Sequence, residues 1–215
     1  MIYNPPAFRE TDLAAMHAQI LHSGLATLVT VGADGPIVSH LPMLLEPEGA
    51  PFGTLTGHLA RANPQWKDSD FSKPAIAMFA GPDAYVSPNW YPSKAEHGKA
   101  VPTWNYSMIY ARGTLDIFED AEELRAHVTA LTERFEREEA EPWNVSDAPE
   151  DYLQRQFKGI VGLRLTITAI EGKAKLSQNR TKVDQDGVVA ALGASERYND
   201  RAVGRLMQQK SPAAR

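Results

Sequence analysis

Three short stretches carry the residue types from which a binding site could be built. The first is 57–66, GHLARANPQW, which leaves an apolar run and meets Asn63-Pro64, an N-cap residue followed by proline at the first position of a helix. A helix N-terminus offers free N–H groups and the positive end of its dipole, and Arg61 just before it adds a planar bidentate donor. That combination suits a phosphate-sized anion. The competing reading pairs Arg61 with Asp68 or Asp70 at the surface, and spacing alone leaves the two open. The second stretch is 172–180, GKAKLSQNR, where Lys173, Lys175 and Arg180 stand among Ser177, Gln178 and Asn179. Its donors suit the phosphate, ribityl or carbonyl oxygens of a polar ligand, unless it is simply a solvated loop. The third is 81–106, with Tyr85, Trp90, Tyr91, Trp104 and Tyr106 alongside Lys94, Glu96, His97 and Lys99. Ordering so long a loop is costly unless it covers something, as a lid or binding loop would; the plainer alternative is an aromatic-stapled surface loop. His40, within Ser39-His40-Leu41-Pro42, and His58 fall on neighbouring predicted strands and could face one pocket, although a lone strand histidine is more often a hydrogen-bonded structural residue.

The elements that must hold these residues can be read in order. Leu13, Met16, Ile20 and Leu21 recur on one helical face, with Thr11 as the predicted cap and Gly24 as the stop. The alternating run 26–31, ATLVTV, the turn 32–35 and the returning run 37–45 predict a hairpin. Further strands are predicted at 53–59, 75–80 and 106–118, with a bulge or bend at Gly113. Asp120 with Glu123 resembles a capping box ahead of a stripe of Leu124, Val128, Leu131 and Phe135. Leu163, Leu165 and Ile167 alternate with polar residues as a half-buried strand, and 188–192 and 202–207 are helical, before an end at 211–215 expected to fray. Short strands joined by turns, with helices inserted irregularly, predict an α+β protein built on an antiparallel sheet closed into a small barrel.

Composition narrows the chemistry. The 215 residues contain no cysteine, which excludes disulfides, thiolate nucleophiles and cysteine-ligated metals. A net charge of -5 disfavours a protein that coats nucleic acid. No apolar run approaches the ~20 residues of a membrane span, and the start MIYNPPAFRE lacks the order of a signal peptide, so a cytoplasmic location is expected. Neither a dinucleotide-binding nor a P-loop glycine motif is present, and no histidine or carboxylate spacing suggests a metal.

The motifs FRE (8–10), ATLVT (26–30), HLP (40–42), GHLARANPQW (57–66), YVSPNWYPSKAEHG (85–98), VPTWNY (101–106) and KLSQNR (175–180) together resemble the PaiB-like, FMN-binding "negative transcriptional regulator" proteins, relatives of the pyridoxamine-phosphate-oxidase split barrels. The resemblance implies a six-stranded split barrel over residues 1–180 with a C-terminal helical extension over 181–215, a homodimer, and FMN in a groove at the subunit interface. It implies cofactor contacts from Thr27, Leu28 and Thr30 on the first strand, from Ser39, His40 and His58, and from Arg61 as the grip on the phosphate. It further implies contacts from Lys94, Trp104 and Asn105 in the aromatic segment and from Lys175, Ser177, Gln178 and Asn179. The oxidase relatives carry lysines where this chain has Thr30 and Ala62, a departure for which Lys94 or Lys175 could compensate. Two functions follow: a regulator in which FMN is a sensor or structural ligand, or an FMN-dependent oxidoreductase acting on a small molecule. Contact with DNA would fall to the basic residues Arg201, Arg205, Lys210 and Arg215, and no helix-turn-helix is evident.

Overall fold

The computed structural model describes residues 2–210; the expected frayed end, 211–215, and with it Arg215, lie outside the described residues. Seven strands are present among the described residues: β1 (Arg9–Glu10), β2 (Leu25–Gly32), β3 (Gly35–Glu46), β4 (Thr54–Ala60), β5 (Ala75–Val86), β6 (Thr103–Phe118) and β7 (Ile160–Lys175). The helices are α1 (Leu13–Ser23), α2 (Gln65–Asp68), α3 (Lys94–His97), α4 (Ala121–Glu136), α5 (Glu150–Lys158), α6 (Lys182–Gly193) and α7 (Tyr198–Lys210). The sheet runs β1-β7-β4-β3-β2-β5-β6, and β6 also pairs with β7. Six strands therefore form a closed circuit, and the seventh, the two-residue β1, pairs with the far end of β7 at Arg9↔Lys173 and Glu10↔Gly172. No helix among the described residues is long and apolar enough to cross a membrane.

Several boundaries differ from the sequence reading for local reasons. Asp12 rather than Thr11 caps the helix, its carboxylate accepting from the Ala14 N–H at 2.9 Å. β5 continues to Val86 instead of stopping at residue 80, carrying Pro82 with it, so the aromatic loop is shorter than expected. β6 starts at Thr103 and brings Trp104 and Asn105 onto a strand. Only half of the capping box forms: Asp120 accepts from the Glu123 N–H at 3.0 Å, while the Glu123 carboxylate pairs with Arg164 instead.

The chain divides into two compact units. The larger comprises His17–Phe79 and Tyr110–Ile170. Here the hairpin pairs Leu25↔Pro42 through Gly32↔Gly35, leaving Ala33-Asp34 as the two-residue turn the sequence predicted. β4 lies between β3, at Met43↔Gly57, and β7, at Leu55↔Leu165. Leu28, Met43, Leu55, Phe79, Leu163, Leu165 and Ile167 are fully buried, as strand alternation requires. Closure of β6 on β7 requires the missing side chain of Gly113, because a Cβ there would sit 1.9 Å from the Thr166 carbonyl oxygen and 3.1 Å from Ile167 Cα.

The other unit comprises Met1–Met16, Ala80–Ile109 and Glu171–Arg215. Its core is Ala84, Val86, Tyr91, Ala174, Leu176, Val188, Leu192, Val203 and Met207, so the aromatic loop and the C-terminal helices share one apolar cluster. Ser93 donates from its N–H and its hydroxyl to the Asp184 carboxylate at 3.1 and 2.8 Å. Gly187 of α6 lets the loop come close, since a Cβ there would lie 2.2 Å from the Trp90 carbonyl oxygen. The loop is stapled down, and the α6 turn that receives it tolerates no added side chain.

Gly113→Ala should destabilise the protein by roughly 2–4 kcal/mol, because the obstructing atoms are backbone and cannot rotate away. Urea unfolding measures it, and an unchanged midpoint would show that β6 and β7 are not in this contact.

Candidate functional site

In the larger unit, the outward face of the hairpin is built from the cross-strand pairs Leu25↔Pro42, Thr27↔His40, Val29↔Val38 and Val31↔Pro36, with Met78 and Ile76 of β5 beside Thr27 and Val29. Leu25, Val31 and Val38 are 58%, 41% and 53% exposed, so this is an apolar face turned to solvent. Its polar centre is Thr27 with His40, Oγ1 to Nδ1 at 3.0 Å. Leu28 and Thr30 point the opposite way, into the barrel. The buried Gln65 donates its amide to Thr30 Oγ1 at 2.9 Å and to the Ile37 carbonyl at 3.1 Å. Ser69 spends its hydroxyl proton on the Gln65 carbonyl, so Thr30 is the donor in its 2.6 Å contact with Ser69. Thr30 thus anchors α2 to the barrel. Ser39 accepts from Asn63 Nδ2 at 2.8 Å, and Asn63 Oδ1 receives the Gln65 N–H at 3.0 Å, which uses the first free donor of the short α2.

Arg61 pairs with neither Asp68 nor Asp70. Its Nε donates to the Lys158 carbonyl at 2.8 Å, one terminal nitrogen to the Ile160 carbonyl at 3.0 Å, and the other to the Glu119 carboxylate. Each of the three nitrogens has a protein acceptor, which uses three of the five N–H donors of the guanidinium and leaves one on each terminal nitrogen. The group lines a cleft of about 300 Å³ with Glu119, Arg125, Glu150 and Lys158.

His40 and His58 do not share a partner. His58 Nδ1 lies 3.1 Å from Nε2 of His127 on α4, the rings meeting edge to face at 5.3 Å. Sequence reasoning passed over His127, although it lies one position before Val128 in the α4 stripe; only the packing of α4 on β4 brings it to His58. Burial lowers the His58 pKa, and burial together with the neighbouring His58 lowers His127 to about 4. The remaining His127 nitrogen, Nδ1, is buried without a partner among the described residues.

In the smaller unit, the structure gathers VPTWNY and KLSQNR. Thr103, Asn105, Lys175, Ser177, Asn179 and Arg180 line a cleft of about 110 Å³. Asn105 is fully buried; its amide donates to Ser177 Oγ at 3.0 Å and contacts Met207 Sδ at 3.4 Å. Ser177 adopts φ 65°, left-handed backbone that a non-glycine residue occupies only under constraint. Gln178 supports this bend from outside the cleft, accepting from the Leu176 N–H at 2.7 Å and donating to the Ala174 carbonyl at 2.5 Å. Lys94 is elsewhere, donating to Asn89 Oδ1 at 2.6 Å. The aromatic set divides: Tyr91 is core, whereas Trp104 is 50% exposed and stacks edge-on with Tyr85 at 6.1 Å.

Residues 2–169 match the protein family described as "Putative FMN-binding domain". The chain is 31% identical over 209 residues to "Protease synthase and sporulation protein PAI 2" of Bacillus subtilis, covering 97% of this chain and 98% of that one. The chain belongs to the PaiB-like family of FMN-binding split-barrel proteins. Its cofactor is FMN. Among solved structures, it resembles the flavocytochrome Anf3 of Azotobacter vinelandii with a TM-score of 0.56, at 13% identity, over 81% of this chain and 70% of that one. It likewise resembles an FAD and heme binding protein of Mycobacterium smegmatis with a TM-score of 0.55, at 16% identity, over 78% of this chain and 73% of that one. These two share the fold of the PaiB-like chain.

Protonating the histidine pair is penalised in the folded state, so the unfolded chain binds more protons below its ordinary histidine pKa of 6.5, and stability falls as pH drops from there towards about 4. Thermal unfolding followed from about pH 7 to about pH 5 should show this loss in the wild type and a shallower one in His127→Phe. Parallel profiles would place the acid sensitivity in other groups.

Proposed function

We propose that the protein is a homodimeric FMN-dependent oxidoreductase acting on a small molecule. The observation that carries this reading is the outward face of β2 and β3, an exposed apolar surface with one hydrogen-bonding pair, Thr27 and His40, at its centre. An isoalloxazine ring has the same character, a large apolar face with polar atoms at its edge, and the residues present fit it. FMN supplies electron transfer when bound, and the protein's part is to hold and shield the reacting partners. Leu25, Val29 and Val38 would exclude water from the ring, while Thr27 and His40 would orient its polar edge. A second copy of the chain covering the same face would complete the groove and bury the exposed valines.

The alternative is a regulatory flavoprotein, favoured by the name of the 31% identical Bacillus subtilis relative, a sporulation protein. Direct DNA contact has little support from the basic residues of α7. Arg201 donates to the Ser195 carbonyl at 2.8 Å, Arg205 lies 5.9 Å from the Tyr198 ring centre, and Lys210 pairs with Glu10. Arg201 and Lys210 are thus already engaged within the chain, and the net charge of -5 opposes phosphate attraction.

Two measurements test the proposal. Anaerobic titration of FMN-loaded protein with NADH and NADPH should bleach the flavin, with recovery in air; absence of reduction by either would turn the reading towards the regulator. Val38→Glu should convert the dimer to a monomer by light scattering and weaken FMN retention by at least about ten-fold, because a buried unpaired carboxylate is costly. A dimer that persists would remove this face from the interface.

A further inference from the structure

The cleft between the start of α4 and the end of α5, about 300 Å³ and wholly within the larger unit, sets opposite charges over an apolar floor. Leu124 and Phe157 are the buried floor, and Ala121 is exposed at the rim. Small-molecule sites have this character, carbon walls with a few placed polar groups. Most of the charged groups are already spent on one another. Arg61 pairs with Glu119 and donates to the Lys158 and Ile160 carbonyls at 2.8 and 3.0 Å, so it closes one wall and fixes the end of α5. Glu150 accepts from Arg125 and, at 3.2 Å, from Gln154 Nε2, bonds that hold its carboxyl below the usual carboxylate range.

Two groups are left over, one of each sign. The Glu122 carboxylate and the Lys158 ammonium line the cleft, and neither makes a hydrogen bond or ion pair among the described residues. Glu122 and Arg125 stand at i and i+3 of α4, one turn apart on one face, a spacing at which an acid and a base commonly pair. Arg125 turns instead to Glu150 at the start of α5 and lies 5.2 Å from the Phe157 ring centre. That bond uses one of its five N–H donors and leaves four without an acceptor among the described residues. The cleft therefore offers a free carboxylate and, a helical turn away, a guanidinium with donors to spare. Lys158 adds a second cation from α5.

We propose that this cleft binds an α-amino acid with an apolar side chain. In such a molecule the ammonium, the carboxylate and the hydrocarbon chain all leave one carbon atom, so opposite charges must be met close together beside a carbon surface. Glu122 receives the ammonium. Arg125 and Lys158 receive the carboxylate through charge-assisted N–H bonds, and the side chain lies along Leu124 and Phe157. The site calls on neither the β2–β3 face nor Arg61, so it is independent of the oxidoreductase reading above.

Titration calorimetry of the FMN-loaded full chain tests the site with L-leucine, with 4-methylpentanoate, which lacks the ammonium, and with 3-methylbutylamine, which lacks the carboxylate. Wild type should bind L-leucine, and each of the other two at least about ten-fold more weakly, the loss of one charge-assisted contact. Glu122→Gln should weaken L-leucine by a similar factor and leave 4-methylpentanoate unchanged. Arg125→Gln should weaken L-leucine and leave 3-methylbutylamine unchanged. Lys158→Gln, at an exposed side chain with no partner among the described residues, should repeat that pattern even if loss of Arg125 disturbs the contact of α4 with α5. Misfolding would weaken all three probes together, so the opposite selectivities report the site itself. No binding of L-leucine to wild type, equal binding of the three probes, or L-leucine binding that the Glu122 and Lys158 variants leave unchanged would overturn the proposal.

Discussion

The approach of β6 to β7 at Gly113 is the constraint on which the barrel depends. A carbonyl oxygen, that of Thr166, occupies the space a side chain would need. With that contact made, the strands close into a circuit and each must send alternate residues inward and outward. The consequence is visible on β2, where Leu28 and Thr30 are committed to the interior while Thr27, Val29 and Val31 are delivered to the outer face. A one-residue slip would exchange the two sets and put the valines inside with no polar pair left outside. Closure therefore sets both the core and the surface proposed for the flavin.

The helices add a second kind of order, made from polar groups. Gln65, Thr30 and Ser69 form a buried chain of hydrogen bonds in which each proton has a determined direction, tying α2 to the hairpin. Arg61 does similar work further along, joining Glu119 to the carbonyls at 158 and 160. The histidine pair is different in character. Its members are held neutral by burial, so the packing of α4 against β4 carries a dependence on acidity that an aliphatic pair would not have. In the smaller unit, the Ser93–Asp184 bonds and the tight approach at Gly187 fasten the aromatic loop to α6. What remains exposed from the aromatic segment is Trp104 with Tyr85, a far smaller surface than five aromatic side chains suggested.

Much of the fold was legible because it is written in local patterns. The turn at Ala33-Asp34, the alternation through Leu163, Leu165 and Ile167, and the Asn63-Pro64 helix start all act over a few residues, and all appear where their spacing places them. The boundaries that moved were those where a distant partner overrode a local signal. Pro82 is tolerated inside β5, and the Glu123 side chain leaves its capping role for Arg164, 41 positions away.

For the site, the sequence by itself determined which chemistry the chain can offer: no thiol, few histidines, a basic KLSQNR segment and an aromatic VPTWNY segment, in a pattern that marks the FMN-binding family. Only the tertiary structure decided how those residues are spent. It engaged Arg61 with Glu119 and two carbonyls, turned Thr30 inward, and set His127 against His58 across 69 positions. It also brought Asn105 to Ser177 across 72 positions, so that two motifs become one cleft. The physical reason is the range of the interactions. Residue type and helix or strand period act within a few positions, whereas the engagement of a charged or polar side chain depends on which acceptor a distant segment brings within about 3 Å of it, and that is a property of packing alone.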